Sequence, residues 1–420
     1  MHVNDQRVAV TGLGIISCLG NDCPSVLRSL RADTIGIELL EERKKLGFNS
    51  ALSGTIKNFD PAQHLTRKLR KTLPEFGIWA WAAIDQALNQ ARLTPEAVRG
   101  DERTGLIFGN DSSTVTAVEQ VAILHEAGDT KSIGSGHIFR LLSSTITLNI
   151  ATILGIRGMS WTVASACASG AMAIGHGAEL IASGRQDRVI VGGAQEISHQ
   201  SMCSFDALNA FSSREDAPGK SSRPFDTKRD GLVPSGGAAA LVLESMDSAR
   251  QRGCPILGEV MGYGTATDGY NIIVPSGEGI ERAMRSAIVQ SGLSPSSINV
   301  VLAHATSTPA GDEKEAEAIL RIFSPSQETP SPPVIALKAR TGHEFWMAGA
   351  SQVIYGLLMA SDNFIAGNIN LDHADQIAGR LNLPRHNLSR TPRFLLCNAS
   401  GFGGTNASLV IGSGDPEKMP

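Results

Sequence analysis

The sequence predicts an α/β protein, and three observations support that prediction. Short runs of aliphatic and β-branched residues alternate with alanine-rich stretches along most of the 420 residues. A chain of 44.3 kDa is long enough to bury a large core in two halves. A hydrophobic content of 42% and a formal net charge of -4 are typical of a folded chain. We therefore expect a buried sheet covered by helices.

Seven apolar runs have the length and composition of buried strands, because they lack the alternation of a half-exposed strand. In chain order they are VAVTGL after Arg7, GLIFG after Thr104, VIVGG after Arg188, AALVLE after Ala238, VVLAH after Asn299, VIALK after Pro333 and FLLCN after Arg393. A strand followed by a small-residue helix occurs in each part of the chain. We therefore predict two similar halves, residues 1–255 and 256–420.

The composition argues against several classes of function. The weakly acidic balance gives no reason to expect a nucleic-acid partner. The uncharged stretch 158–178 contains too many polar residues for membrane insertion. Asp5 and Arg7 precede any sizeable apolar run, which argues against a secretory signal. Six cysteines without CxxC or zinc-site spacing predict no metal and a cytoplasmic location.

Gly12-Leu-Gly14 resembles the start of a dinucleotide-binding fingerprint. The third glycine of that fingerprint is replaced by Ser17, so a tight turn packed against a helix is the favoured interpretation. No cofactor is predicted.

Cys167 is a candidate nucleophile. It follows a β-prone run and precedes Ala168, Ser169 and Gly170, so we predict that it opens a closely packed helix. A thiol at a helix N-terminus is expected to favour the thiolate form. A small buried hydrophobic residue is the alternative interpretation.

His304 and His343 each stand at the end of an apolar strand that precedes a helix. One strand-end histidine is more often structural than catalytic. Two of them on similar scaffolds, together with a helix-opening cysteine, favour nucleophilic or electrophilic chemistry.

Five segments resemble, in order and spacing, the signatures of the β-ketoacyl-acyl-carrier-protein synthases. They are SACASGAMAIGHGAELI, SRPFDTKRDGLVPSGGAAALVLE, AHATSTPAGDEKEAEAI, KARTGHEFWMAGA and CNASGFGGTNASLVI. The similarity extends from Arg7 to Gly412 and is greatest to the Cys-His-His elongating branch, synthases I and II. It implies the thiolase fold, with two pseudo-symmetric α/β halves in a five-layered α-β-α-β-α arrangement. It also implies a homodimer, or a heterodimer with a ketosynthase-like partner.

The resemblance implies a decarboxylative condensation in fatty acid synthesis, with substrates carried on the phosphopantetheine of an acyl carrier protein. Cys167 would hold the acyl chain, while His304 and His343 would stabilise the enolate formed from malonyl-carrier protein. The amides of Cys167 and Phe402 would form the oxyanion hole. Supporting and substrate-binding roles would fall to Lys338, Glu315, Thr306, Thr308 and Ser400.

The densest basic run of the chain is a candidate dock for the acidic carrier protein. It contains Arg67, Lys68, Arg70 and Lys71. A solvated helix face is the alternative, since short basic runs are common.

Three departures from the family pattern concern substrate preference. Ala305 replaces a glycine, a bulky Glu344-to-Met347 segment replaces small residues, and Ser400 replaces an aromatic that lines the pocket. A dedicated polyketide or polyene ketosynthase would look similar. A chain-length-factor-like partner would lack Cys167, and a cysteine hydrolase would need a base paired with the thiol and an orienting group.

Overall fold

The computed structural model describes residues 6–324, 326 and 330–417, so Asp5 lies outside the described residues. The predicted α/β class is confirmed. Its strands are β1 Val8–Ile16, β2 Ile37–Leu39, β3 Leu52–Gly54, β4 Thr104–Gly109, β5 Ser160–Val163, β6 Arg188–Gln195, β7 Gly237–Ser245, β8 Gly258–Thr267, β9 Val300–Leu302, β10 Val334–Ile335, β11 Phe394–Gly401 and β12 Thr405–Ser413.

The sheet repeats one strand order twice. Ten strands are hydrogen-bonded in the order β10-β9-β11-β12-β8-β1-β7-β6-β4-β5, and β2 pairs with β3 in a separate hairpin. When the five sheet strands of each half are numbered along the chain, both halves have the order 3-2-4-5-1. The two predicted similar halves are therefore present, and they meet where β1 and β8 pair in antiparallel fashion. The predicted boundary after residue 255 falls just before β8.

Helices cover both faces of the sheet. The α-helices are α1 Cys23–Arg31, α2 Glu41–Lys45, α3 Arg67–Arg70, α4 Glu75–Gln90, α5 Pro95–Val98, α6 Thr114–Ala127, α7 His137–Leu141, α8 Thr145–Leu154, α9 Ser169–Ala182, α10 His199–Ala207, α11 Met246–Gln251, α12 Glu278–Gln290, α13 Pro309–Phe323, α14 Lys338–Thr341 and α15 Ala348–Ser361. Short 3-10 turns occur at Pro61–Gln63, Pro218–Lys220, Pro295–Ser297, Phe345–Met347, Ala378–Arg380 and Phe402–Gly404.

Two buried helices lie between the halves of the sheet. α9 and α15 pack on each other and contact strands of both halves, whereas α4 covers β1 and β7 and α12 covers β8 and β12. This gives the predicted sequence of helix, sheet, helix, sheet and helix layers. Because α9 and α15 directly follow the predicted site segments, their N-terminal ends bring those segments together at the centre of the molecule.

All seven predicted strands are present, but the predicted turn at Gly12-Leu-Gly14 is not. Both glycines lie inside β1. A Cβ on Gly12 or Gly14 would lie 1.9 Å or 1.8 Å from a carbonyl oxygen of α4. The glycines therefore allow α4 to cross the strand closely. The prediction that this segment packs against a helix is confirmed, whereas the predicted turn is wrong.

Candidate active site

A sharp turn between β5 and α9 presents Cys167. Ala166 adopts a φ of +45°, which is uncommon for a residue with a side chain. The Ser169 hydroxyl donates to the Ala166 carbonyl at 2.6 Å, and the Ala168 amide donates to the Ser165 carbonyl at 3.1 Å. These bonds hold the turn, and Cys167 is left 7% exposed in an apolar cluster.

The raised pKa of the Cys167 thiol favours its protonated form near pH 7. Burial raises its pKa to about 12, while the charge of Lys338 lowers it. The helix N-terminus predicted a lowered pKa for this thiol, and that prediction is wrong because desolvation has the larger effect. Cys167 also lies two residues before the first helical residue, Ser169.

His343 contacts the thiol directly. Its backbone amide donates to the Val233 carbonyl at 2.7 Å, and its carbonyl accepts from the Ser235 amide at 2.9 Å. This anchoring places the ring Nε2 of His343 3.1 Å from Sγ of Cys167. The two predicted site residues are therefore 176 positions apart in the chain and within hydrogen-bond distance in the fold.

His304 lies beside His343, with ring centroids 5.1 Å apart and the rings nearly perpendicular. Glu315 accepts the backbone amides of His304 at 2.8 Å and Ala305 at 2.7 Å. The ammonium group of Lys338 donates to the His304 carbonyl. The predicted supporting residues Glu315 and Lys338 thus hold the strand end from two sides.

Both imidazoles are neutral near pH 7. Burial lowers the pKa of His304 and of His343 well below the usual value, and the charge of Lys338 lowers both further. Burial also lowers the pKa of Lys338, although the carboxylates of Glu315 and Glu344 raise it. A neutral imidazole carries one N–H, so each ring can donate one hydrogen bond to a developing oxyanion.

A cavity of about 380 Å³ opens onto these side chains. The predicted site residues that line it are Cys167, His304, Thr306, Thr308, Glu315, His343, Ser400 and Phe402. The hydroxyls of Thr306 and Thr308 are 3.0 Å apart. A Cβ on Gly401 would lie 3.0 Å from the Cys167 amide nitrogen, so the strand that leads to Phe402 packs directly against the Cys167 turn.

An aromatic stack runs from the mouth of this cavity to His343. Phe402, which is 37% exposed, stacks on Phe205 at 5.7 Å, and Phe205 contacts Phe345 at 4.9 Å. Phe345 stacks on the His343 ring at 4.6 Å. Phe345 has a φ of +41°, a strained value for a bulky residue. Trp346 is buried in the same apolar cluster as Cys167.

The basic run does not line the cavity. It forms the short helix α3, in which Arg67 and Lys68 are exposed and Arg70 is half-buried; Lys71 follows it and is exposed.

Sequence reasoning missed several residues of the site. Asn398 donates to Glu315 at 2.9 Å and accepts from Ser408 at 2.9 Å, which fixes the carboxylate. The segment CNASGFGG contains Asn398, so the resemblance offered a signal for it. Phe205 had no such signal, because α10 enters the site only through the fold.

The comparisons with known proteins identify the family. The model of the β-ketoacyl synthase N-terminal domain matches residues 5–249, and that of the C-terminal domain matches residues 257–372. The chain belongs to the β-ketoacyl synthase family. Its similarity to 3-oxoacyl-[acyl-carrier-protein] synthase 1 of Haemophilus influenzae is 38% identity over 97% of this chain and 98% of the relative.

Solved β-ketoacyl synthase structures share the fold. A β-ketoacyl synthase from Burkholderia phymatum STM815 superposes with a TM-score of 0.92 at 30% identity, over 98% of this chain and 100% of that one. A chain from the structure of a type II polyketide synthase acyl-carrier protein in complex with its ketosynthase superposes with a TM-score of 0.88 at 27% identity. The match covers 97% of this chain and 100% of that one. The predicted thiolase fold is therefore confirmed.

Proposed function

We propose that this chain catalyses decarboxylative Claisen condensation of an acyl chain on Cys167 with malonyl-acyl carrier protein. The product is a β-ketoacyl-acyl carrier protein in fatty acid synthesis. The 3.1 Å contact of His343 with the Cys167 thiol, with His304 beside it in one cavity, carries the proposal.

The first half-reaction transfers the acyl chain to the enzyme. The sulfur of Cys167 attacks the thioester carbonyl of the acyl-carrier protein, and the carrier's thiol leaves. The buried thiol must lose its proton during this attack, and the neutral His343 ring lies within reach to accept it and pass it to the leaving carrier thiolate. We assign the oxyanion hole to the amides of Cys167 and Phe402, since their segments are in contact.

The second half-reaction forms the carbon–carbon bond. Carbon dioxide leaves the malonyl group, and the electron pair of the broken bond forms an enolate. The N–H groups of His304 and His343 stabilise the enolate oxygen, and the carbanion then attacks the Cys167 thioester. The sulfur is released as a thiolate and takes up one proton from solvent to regenerate the thiol. We assign hydrogen bonding of the phosphopantetheine arm of either substrate to Thr306 and Thr308, which line the cavity. The proposed cycle uses side chains and backbone amides of this chain and requires no metal or bound cofactor.

Loading and decarboxylation assays test this proposal. The wild type should gain the mass of one acyl group, and Cys167→Ala should gain none. His304→Ala should load normally but decarboxylate malonyl-carrier protein about 10²- to 10³-fold more slowly. His343→Ala should slow both steps, because His343 also contacts the thiol. The exposed His386→Ala is the matched control. An acyl adduct on Cys167→Ala, or an unchanged rate in both histidine variants, would contradict the assignment.

The same assay with a panel of acyl groups separates fatty acid synthesis from a dedicated polyketide or polyene pathway. Preferential loading of polyunsaturated or polyketide chains would favour the second pathway. A silent chain-length-factor-like partner is disfavoured by the assembled Cys167 and histidine pair.

We further propose an acyl carrier protein docked near α3, a homodimer or ketosynthase-like heterodimer, and a cytoplasmic location. All six cysteines are free, which suits a reducing compartment. No described helix combines the length and apolar character needed to cross a membrane.

A further inference from the structure

A polar segment that follows β4 lies against the Cys167 turn. It consists of Asn110, Asp111, Ser112 and Ser113, and the cycle proposed above uses none of them. The side-chain amide Nδ2 of Asn110 donates to the Ser143 carbonyl at 2.7 Å, and the hydroxyl of Ser113 donates to the Arg140 carbonyl at 2.6 Å. The segment is therefore tied to the chain on both sides of Asp111.

Asp111 contacts the residue before the nucleophile. Its Oδ2 accepts the backbone amide of Ala166 at 3.0 Å. Ala166 is the residue with the φ of +45°, so this bond stabilises an unfavourable backbone conformation. The direction of the Cys167 side chain depends on that conformation, because the two residues are adjacent.

We propose that Asp111 is a positioning residue for Cys167. The Asp111 carboxylate accepts the Ala166 amide and thereby fixes the turn that directs the thiol toward His343. The inference rests on the proposed function only in taking Cys167 as the nucleophile. It adds a residue that touches neither substrate nor reacting atoms.

The negative charge of Asp111 has a second consequence. It raises the pKa of the Cys167 thiol, in the same direction as burial and against the charge of Lys338. The imidazoles of His343 and His304, the other titratable groups beside the thiol, are neutral near pH 7. Asp111 therefore adds to the effect of burial, which favours the protonated thiol, the form less reactive toward alkylation and oxidation.

Two substitutions separate the anchor from the charge. Asp111→Asn keeps a carbonyl acceptor for the Ala166 amide but removes the charge. Asp111→Ala removes both. Iodoacetamide is the probe for the thiol. The rate of alkylation at Cys167 is measured between pH 6 and 9 by peptide mass analysis, with the exposed Cys203 as the internal reference. Loading by a carrier-free acyl thioester measures positioning, and Asp85→Asn on the outer helix α4 is the matched control.

In both variants the rate of Cys167 alkylation, relative to that of Cys203, should be higher than in wild type. The increase is about tenfold for a fall of one unit in the thiol pKa. Asp111→Asn should still load the acyl group at least as fast as wild type at pH 7. Asp111→Ala should load roughly tenfold more slowly than Asp111→Asn, because the sulfur is misplaced.

Two results would overturn the proposal. One is an alkylation profile of Asp111→Asn identical to that of wild type, and the other is equal loading by the two variants. If wild type fails to load at all while Cys167 alkylates normally, the proposed function is at fault and not the role of Asp111. A general folding defect would also change the Cys203 rate and the melting temperature.

Discussion

Cys167 shows how the position of a residue in the fold, and not its type alone, sets its chemistry. Because the thiol pKa is about 12 and the His343 ring is neutral, Cys167 and His343 do not form an ion pair. Thiolate formation must then be coupled to the arrival of substrate, whose oxyanion can be stabilised as the proton leaves Cys167. The thiol is therefore expected to be weakly nucleophilic until substrate binds.

Ser400 is expected to set the shape of the acyl substrate. It lines the same cavity as Cys167, and an aromatic side chain would fill that space. Ser400→Phe should therefore shift loading toward shorter or thinner acyl groups, because a pocket discriminates by clashes as well as by contacts. Competition loading with a mixed chain-length panel measures the shift, and the conservative Ser400→Ala should keep the wild-type order.

The opposite outcome has a structural basis in Phe345. Phe345 lines that cavity, so Ser400→Phe could overpack the site. An unchanged order of preference with uniformly lower rates would refute the enlarged pocket.

At the scale of elements, the segment between His343 and α15 contains a buried carboxyl group. Glu344 accepts hydrogen bonds from the hydroxyls of Ser351 and Tyr355, both on α15. Burial raises its pKa to about 7, although these hydroxyls and Lys338 lower it. Glu344 thus joins the segment that follows His343 to the central helix α15.

This carboxyl group should make the free energy of unfolding depend on pH. The native state keeps the Glu344 proton up to about pH 7, whereas the unfolded state releases it near the usual value of 4.5. Its contribution to stability is therefore present below pH 4.5 and is lost as the pH rises through 7, by about 3 kcal/mol.

Urea unfolding of Glu344→Gln between pH 5 and 8 tests that sign. The variant should depend less on pH than wild type, and the exposed Glu102→Gln should not differ from wild type. Asp312, whose burial also raises its pKa to about 7, remains in both proteins and cancels in the comparison. Parallel curves for Glu344→Gln and wild type would contradict the prediction.

The short helix α3 carries the carrier-docking prediction. Arg67 and Lys68 are exposed, so charge reversal there changes the surface potential without disturbing the core. Arg67→Glu/Lys68→Glu should raise the KM for carrier-bound substrates and weaken its salt dependence, while carrier-free thioesters react as before. The exposed Arg185→Glu is the control, and equal losses toward both substrate types would assign α3 a structural role.

Much of the molecule could be predicted from the sequence because local signals are strong where burial is complete. β4 and β6 are continuous apolar runs, and the segments around Cys167, His304 and His343 are recognisable alone. The relations between distant segments could not be predicted in this way. The Phe205 stack, the Asp111 contact and the raised thiol pKa all depend on which segments the fold packs together.

At the scale of the whole molecule, the repeated strand order explains why the site is central. In each half, a segment at the end of a strand leads to the start of an inner helix, α9 in the first half and α15 in the second. These two helices pack against each other. Cys167 of one half therefore meets His304 and His343 of the other. Neither half contains the complete set of proposed catalytic side chains.

One face of the first half lacks a cover in the described chain. On α6, Val118, Val121 and Leu124 are 46%, 49% and 39% exposed, and on α7, Ile138 and Phe139 are 52% and 42% exposed. α6 packs on α7, α7 on α8, and α8 on β5, which is an end strand of the ten-stranded sheet. Exposed apolar helices beside an open sheet edge favour association with a similar chain.

Val121→Glu tests whether this face forms the proposed dimer. A two-fold axis would pair β5 with its copy and bury the α6 and α7 side chains in one isologous interface. Light scattering should give wild type a molar mass of twice the 44.3 kDa chain mass, and the mass of Val121→Glu should shift toward that of the monomer. Val289→Glu changes an equally apolar valine, 78% exposed on the outer helix α12, and should remain dimeric. A dimeric Val121→Glu would place the interface elsewhere, whereas a monomeric wild type would favour a ketosynthase-like partner on this face.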